Sequence, residues 1–154
     1  LRPFGMRLYA VRRSGRPEPE VEMVPASELG RVLPLVDHLV NILPAHPSTD
    51  LFVNAELLAG CRRGVRFYNV GRGSTVDQAA LMQALREGRV GEAYLDVMDP
   101  EPLPPGHDLW TTPHCYITPH TAGGRHDQDE TLVQHFLSNL AAFESGRPMN
   151  DRVV

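Results

Sequence analysis

Between Asn69 and His120 the sequence sets out three groups suited to proton chemistry on an acidic substrate. Arg72 follows Asn69-Val-Gly, Glu101 opens Glu101-Pro-Leu and His120 closes Thr118-Pro-His, each past a short apolar segment. A guanidinium offers a planar, permanently charged fork that matches a carboxylate. An imidazole exchanges protons near neutral pH, and a neighbouring carboxylate favours its charged form. Taken singly, each residue has a plainer reading: a surface ion pair for the Arg, a solvated loop for the Glu, a turn cap for the His. Together they fit an open parallel sheet, in which ligands sit at the carboxyl ends of the strands.

The elements that must position these groups alternate in type. Apolar segments Met6 to Val11, His38 to Leu43, Val65 to Asn69, Glu92 to Val97 and Tyr116 to Thr118 read as strands, the second apolar enough to be covered on both faces. Ser27 can cap a short helix that Pro34 ends, Asn54 caps Ala55 to Gly60, and Asp77 caps Gln78 to Glu87 with Gly88 as terminator. The Gly5 that follows Leu1-Arg-Pro-Phe reads as the stop of a helix, so the chain is expected to begin inside a longer protein. The segments from Arg12 to Pro25 and from Met98 to Pro113 read as loops, the second as a site loop. A last helix, Gln128 to Ser145, carries Leu132, Phe136, Leu140 and Phe143 on one face and stops at Gly146. This alternation predicts an α/β fold with a doubly wound parallel sheet.

Composition narrows the class of partner. With 154 residues, 42% hydrophobic and 22% charged, the chain can bury a real core and has no apolar run of membrane-spanning length. A net charge of −4 gives no basic field, so neither nucleic acid nor membrane is expected as a partner. Cys61 and Cys115 read as buried, reduced thiols of a cytoplasmic protein, and the seven His show no zinc spacing, so no metal is expected.

The order Asn-x-x-Arg-Gly-x-x-Val-Asp (69–77), Leu95-Asp96-Val97, Glu101-Pro-Leu and Thr118-Pro-His120 resembles the D-isomer-specific 2-hydroxyacid dehydrogenases. Within that family it is most similar to the glyoxylate/hydroxypyruvate reductase and phosphoglycerate dehydrogenase-like members. The resemblance implies a Rossmann-type nucleotide-binding domain that lacks its first strand and glycine-rich turn. It assigns 1–124 to a partial dinucleotide-binding domain and 125–154 to a C-terminal helix and tail returning to a substrate domain absent from the chain. It implies Arg72 as the substrate clamp, His120 as the acid/base and Glu101 as its support, with Asp96 on the nicotinamide carboxamide. Leu43-Pro44, Val70-Gly71 and Gly123 fall on further cofactor-binding segments. Val70-Gly71 before the Arg and Met98-Asp99-Pro100 depart from the usual family pattern. The glycines in Gly71-Arg-Gly73 and Gly123-Gly124 cannot replace the missing phosphate turn and read as tight turns.

The implied activity is hydride transfer between a nicotinamide cofactor and a small 2-oxo acid or D-2-hydroxy acid, by a homodimeric parent protein. Arg12-Arg13-Ser14, in place of an acid after the first strand, favours NADP(H), with NAD(H) possible; solvated loop charge is the plainer reading. A nucleotide-sensing or corepressor-like binding protein and an inactive fragment are the alternatives. The first has no need of a proton donor such as His120.

Overall fold

A computed structural model describes residues 2–12 and 17–151 of the chain. It divides into two compact units, 1–120 and 121–154.

The first unit opens with a 3-10 turn, Arg2–Phe4, which ends at Gly5 with φ of +68°. Strand β1 is Leu8–Ala10, and it pairs in parallel with β2, Val21–Met23. The sequence places a loop where β2 lies. A three-residue strand between prolines has no period to detect, and its central residue is the charged Glu22. That carboxylate stays at the surface between Arg31 (3.0 Å) and Arg7 (3.1 Å), which hold it below the usual carboxylate range. A 3-10 turn, Ala26–Glu28, leads into helix α1, Leu29–Val32. Ser27 therefore sits inside a turn rather than at a cap, and neither start carries a side-chain cap bond. Pro34 enters a further 3-10 turn, Leu33–Leu35, because it cannot donate to a continuing helix.

Four strands form the main sheet in the order β3 (His38–Asn41), β4 (Val65–Asn69), β5 (Val90–Leu95), β6 (Cys115–Ile117), every pairing parallel. Helix α2, Ala55–Gly60, joins β3 to β4, and α3, Gln78–Arg86, joins β4 to β5. Both start at side-chain caps: Asn54 accepts from the Leu57 amide and Asp77 from the Ala80 amide, each at 3.0 Å. Leu58 of α2 and Leu81, Ala84 and Leu85 of α3 pack on Val65, Phe67, Ala93 and Leu95 to make the core. Burying these side chains supplies the main drive for folding, at about 25 cal/mol per Å² of apolar surface.

The opposite face of the sheet follows from the period of two. Tyr68, Tyr94 and Tyr116 stack across three strands with ring centroids 5.2 and 4.9 Å apart, and His38 extends the row at 5.8 Å. Arg66 and Glu92 pair beside them at 2.8 Å. The expectation of a doubly covered β3 fails here: Val40 is 51% and Ile42 71% exposed, since they point away from α2 and α3. A groove of about 880 Å³ separates the two sheets, lined by residues 5–11 on one side and 35–43 on the other.

The second unit holds α4, Gln128–Glu144, terminated by Gly146 at φ of +67°. Its tail is tied back where the Asn150 amide donates to Asn139 Oδ1 at 2.8 Å. Leu132, Phe136, Leu140 and Phe143 lie on its exposed side. No helix among the described residues is long and apolar enough to cross a membrane.

Candidate active site

Parallel pairing brings four strand ends to one edge. Asn41, Asn69, Leu95 and Ile117 are register partners in succession, so the residues that follow them emerge at the same level. Arg72 comes three residues after Asn69, Glu101 six after Leu95 and His120 three after Ile117.

Glu101 and His120 meet directly, with the imidazole Nδ1 3.2 Å from Glu101 Oε2. The His120 side chain is 48% exposed, which leaves Nε2 able to reach a ligand while Nδ1 is held by Glu101. Its backbone has φ of +54°, a left-handed conformation that costs about 1–3 kcal/mol for such a residue and is found at functional sites. The His120 amide donates to the Thr118 carbonyl at 3.0 Å, which closes this turn. The pair borders a cleft of about 700 Å³ with Met98, Leu103, Trp110 and Thr118 on its other sides. The Trp110 indole is fixed by Nε1 donating to the Pro104 carbonyl at 2.9 Å.

Arg72 stands at the neighbouring strand end with an extended backbone, φ −145° and ψ 146°. Its Nη1 donates to the Gly71 carbonyl at 2.7 Å, and among the described residues it makes no hydrogen bond to Glu101 or His120. Gly73 opens a tight 3-10 turn, Gly73–Thr75, as the sequence reading expects, and both flanking glycines also serve close approach. A Cβ on Gly71 would lie 2.6 Å from the Leu43 carbonyl oxygen, and one on Gly73 only 1.8 Å from that of Met98. The loops after β3, β4 and β5 thus touch main chain to main chain.

Asp96 is 5% exposed, and Thr118 Oγ1 donates to its Oδ1 at 2.5 Å. Leu43 and Pro44 follow β3, and Val70, 44% exposed, follows β4. Arg12 lies 3.9 Å from Glu18 Oε2, while Arg13 and Ser14 fall outside the described residues. Gly123 belongs to the second unit, in a turn closed by the Gly124 amide on the Thr121 carbonyl at 3.0 Å. The two thiols are free, and burial pushes both up to about 11. Among the described residues no cluster of three or more His, Cys, Asp or Glu could hold a metal.

Residues 1–122 match the model of the D-isomer specific 2-hydroxyacid dehydrogenase NAD binding domain. The chain belongs to this family. Among the dehydrogenases it resembles, human glyoxylate reductase/hydroxypyruvate reductase is 34% identical over 97% of this chain and 46% of that protein. The NADPH-dependent glyoxylate/hydroxypyruvate reductase of Sinorhizobium meliloti, solved with NADP and sulfate, superposes with a TM-score of 0.89 at 34% identity. That match covers 99% of this chain and 49% of the other. A probable 2-hydroxyacid dehydrogenase from Rhizobium etli, in complex with NADP, HEPES and L(+)-tartaric acid, gives 0.87 at 33% identity, covering 99% and 49%. The chain spans about half the length of the relatives it matches.

Around this candidate site, sequence reasoning passed over Gln78, Trp110 and the buried polar pair Asn41 and Thr75. Asn41 carried a signal, a polar residue inside an otherwise apolar strand. Gln78 and Thr75 carried none, since Asp99 and Asn41, which they bond, are distant in sequence.

Proposed function

We propose that this chain is the nucleotide-binding part of an oxidoreductase that reduces a small 2-oxo acid of the glyoxylate or hydroxypyruvate class to the D-2-hydroxy acid. The observation that carries the reading is the Glu101–His120 contact of 3.2 Å at the same sheet edge as Arg72. A carboxylate bonded to one imidazole nitrogen holds the ring in place as a proton donor, and the fixed cation at the same sheet edge suits the substrate carboxylate.

The residues at this edge fit the nicotinamide half of a dinucleotide. Asp96 brings a buried carboxylate able to accept from a carboxamide, and the exposed Val70 offers apolar surface beside it. When bound, the nicotinamide supplies the hydride for the carbonyl carbon. Arg72 grips the substrate carboxylate and polarises the carbonyl, and His120 gives its proton to the carbonyl oxygen. Glu101 orients the ring from behind through its contact with Nδ1. Leu43, Pro44, Gly71 and Gly123 are assigned to main-chain contacts with the cofactor, and Arg12, Arg13 and Ser14 to its 2'-phosphate, so that NADPH is preferred over NADH.

Residues 1–124 form the partial nucleotide-binding domain, and 125–154 lead toward a substrate domain in the intact protein. By its resemblance to the family the intact protein works as a homodimer, in the cytoplasm given its reduced thiols. The net charge of −4 argues against a nucleic-acid partner. The test is reduction of glyoxylate and of hydroxypyruvate by the intact protein with NADPH and with NADH, alongside H120Q. The expected result is turnover with both acids, faster with NADPH, and a loss of about 10²- to 10⁴-fold in H120Q. Turnover unchanged in H120Q would refute the assignment, and cofactor binding without any turnover would favour a sensing protein instead.

A further inference from the structure

We propose that Asn41 and Thr75 are positioning residues that lock the Arg72 main chain to the segment after β3. The inference rests on the reading of Arg72 as the substrate clamp. Asn41, Asn69 and Thr75 are 4%, 1% and 0% exposed, three polar side chains sealed between β3, β4 and the turn before α3. Asn41 Nδ2 uses both of its hydrogens, one on Asn69 Oδ1 at 3.0 Å and one on Thr75 Oγ1 at 2.7 Å. Asn41 Oδ1 accepts from the Leu43 amide at 3.2 Å. Asn69 Oδ1 also accepts from the Gly71 amide at 3.2 Å, and Asn69 Nδ2 donates to the Arg72 carbonyl at 3.2 Å. Thr75 Oγ1 spends its single hydrogen on the same Arg72 carbonyl, at 2.6 Å.

Donor and acceptor directions leave one arrangement. Turning the Asn41 amide over would set its NH₂ against the Leu43 amide, and turning Asn69 would set donor against donor at both Asn41 and Gly71. Among the described residues no buried side-chain polar atom lacks a partner, so the network is fully satisfied, the condition under which buried polar groups specify one geometry. Its bonds end on three main-chain groups: Leu43, Gly71 and Arg72. Two of these flank the guanidinium, and the third begins the segment assigned to the cofactor. Asn41 and Thr75 therefore hold clamp and cofactor segment at a fixed separation, as near-attack geometry requires, where an error of about 1 Å can cost 10²-fold in rate.

The test uses the intact protein and the variants T75V, T75S, R72Q and the double variant T75V/R72Q. T75V keeps the shape but removes the bond to the Arg72 carbonyl and the acceptor of one Asn41 Nδ2 hydrogen. The expected result is an approximately tenfold loss of kcat/KM through the KM for the 2-oxo acid, of the order of the hydrogen bonds lost at Thr75 Oγ1. The KM for NADPH changes little, T75S recovers the activity, and T75V costs nothing further in the R72Q background, because it acts through the guanidinium. N41D keeps the shape while replacing the donating NH₂ by an acceptor, and it gives the same pattern should T75V fail to fold. A loss in T75V that adds in full to that of R72Q, or one that T75S does not recover, overturns the proposal while the clamp stands. An R72Q protein with unchanged kinetics overturns the clamp and its support together.

Discussion

Gln78 grips the main chain of Asp99 at two points, its Nε2 donating to the Asp99 carbonyl at 2.5 Å and its Oε1 accepting from the Asp99 amide at 3.1 Å. Gln78 is the first residue of α3, and Asp99 lies two residues before Glu101. One side chain thus fastens the loop that carries the carboxylate to the start of a packed helix.

Replacing Gln78 with Ala leaves the helix a good former but frees the loop. The expected outcome is a fall of about tenfold in kcat, of the order of the two neutral hydrogen bonds lost, with the KM for NADPH unchanged. Steady-state kinetics of the intact protein check this, and a kcat equal to wild type would mean that Glu101 needs no such anchor.

Arg72→Lys keeps the charge and loses the planar fork. We expect the KM for the 2-oxo acid to rise by about tenfold or more and kcat to fall with it. Unchanged kinetics would return Arg72 to the role of a surface cation.

Gly73→Ala puts a methyl group where the Met98 carbonyl stands, at 1.8 Å, and backbone has to move. A loss of about 1–3 kcal/mol is expected, read as a lower urea midpoint. Gly106, with nothing within 4 Å of its added Cβ, is the control, and its Ala variant should unfold as wild type does. Equal midpoints for the two variants would contradict the close approach of the β4 and β5 loops.

How much of this was legible follows from where the information sits. The bounds of β4 and α2 and the start of α3 were readable because the alternation in Val65–Asn69 and the caps Asn54 and Asp77 are local signals. Strand β2 was not, since only its pairing with β1 makes it a strand. The open face of β3 was misjudged for a related reason: apolar residues state a preference for burial, and whether anything covers Val40 and Ile42 depends on other elements. At the site, the motif order suffices to bring Glu101 near His120 once the sheet is parallel. The network of Asn41 and Thr75 joins residues 34 positions apart, and no local pattern records it.

The thiols give a prediction in pH. Burial raises both Cys61 and Cys115 to about 11, so at pH 8 about one part in a thousand is thiolate and alkylation should be far slower than in the urea-unfolded protein. Their folded values lie above the unfolded ones, near 9, so stability is intact below that point. Between pH 9 and 11 the unfolded chain releases protons that the folded chain keeps, and stability falls. The C61A/C115A variant should lose less of its urea midpoint over that range; an identical decline in both proteins would remove the thiols as its cause.

Trp110 is the single tryptophan of the chain, and it lines the same cleft as His120 with its indole nitrogen anchored on Pro104. All indole fluorescence from this polypeptide therefore originates at the mouth of that cleft. Light absorbed by the four tyrosines, three of them stacked on the far face of the sheet, can be avoided by exciting at the red edge. The molecule carries a native optical reporter whose signal tracks events beside one imidazole, without any label attached.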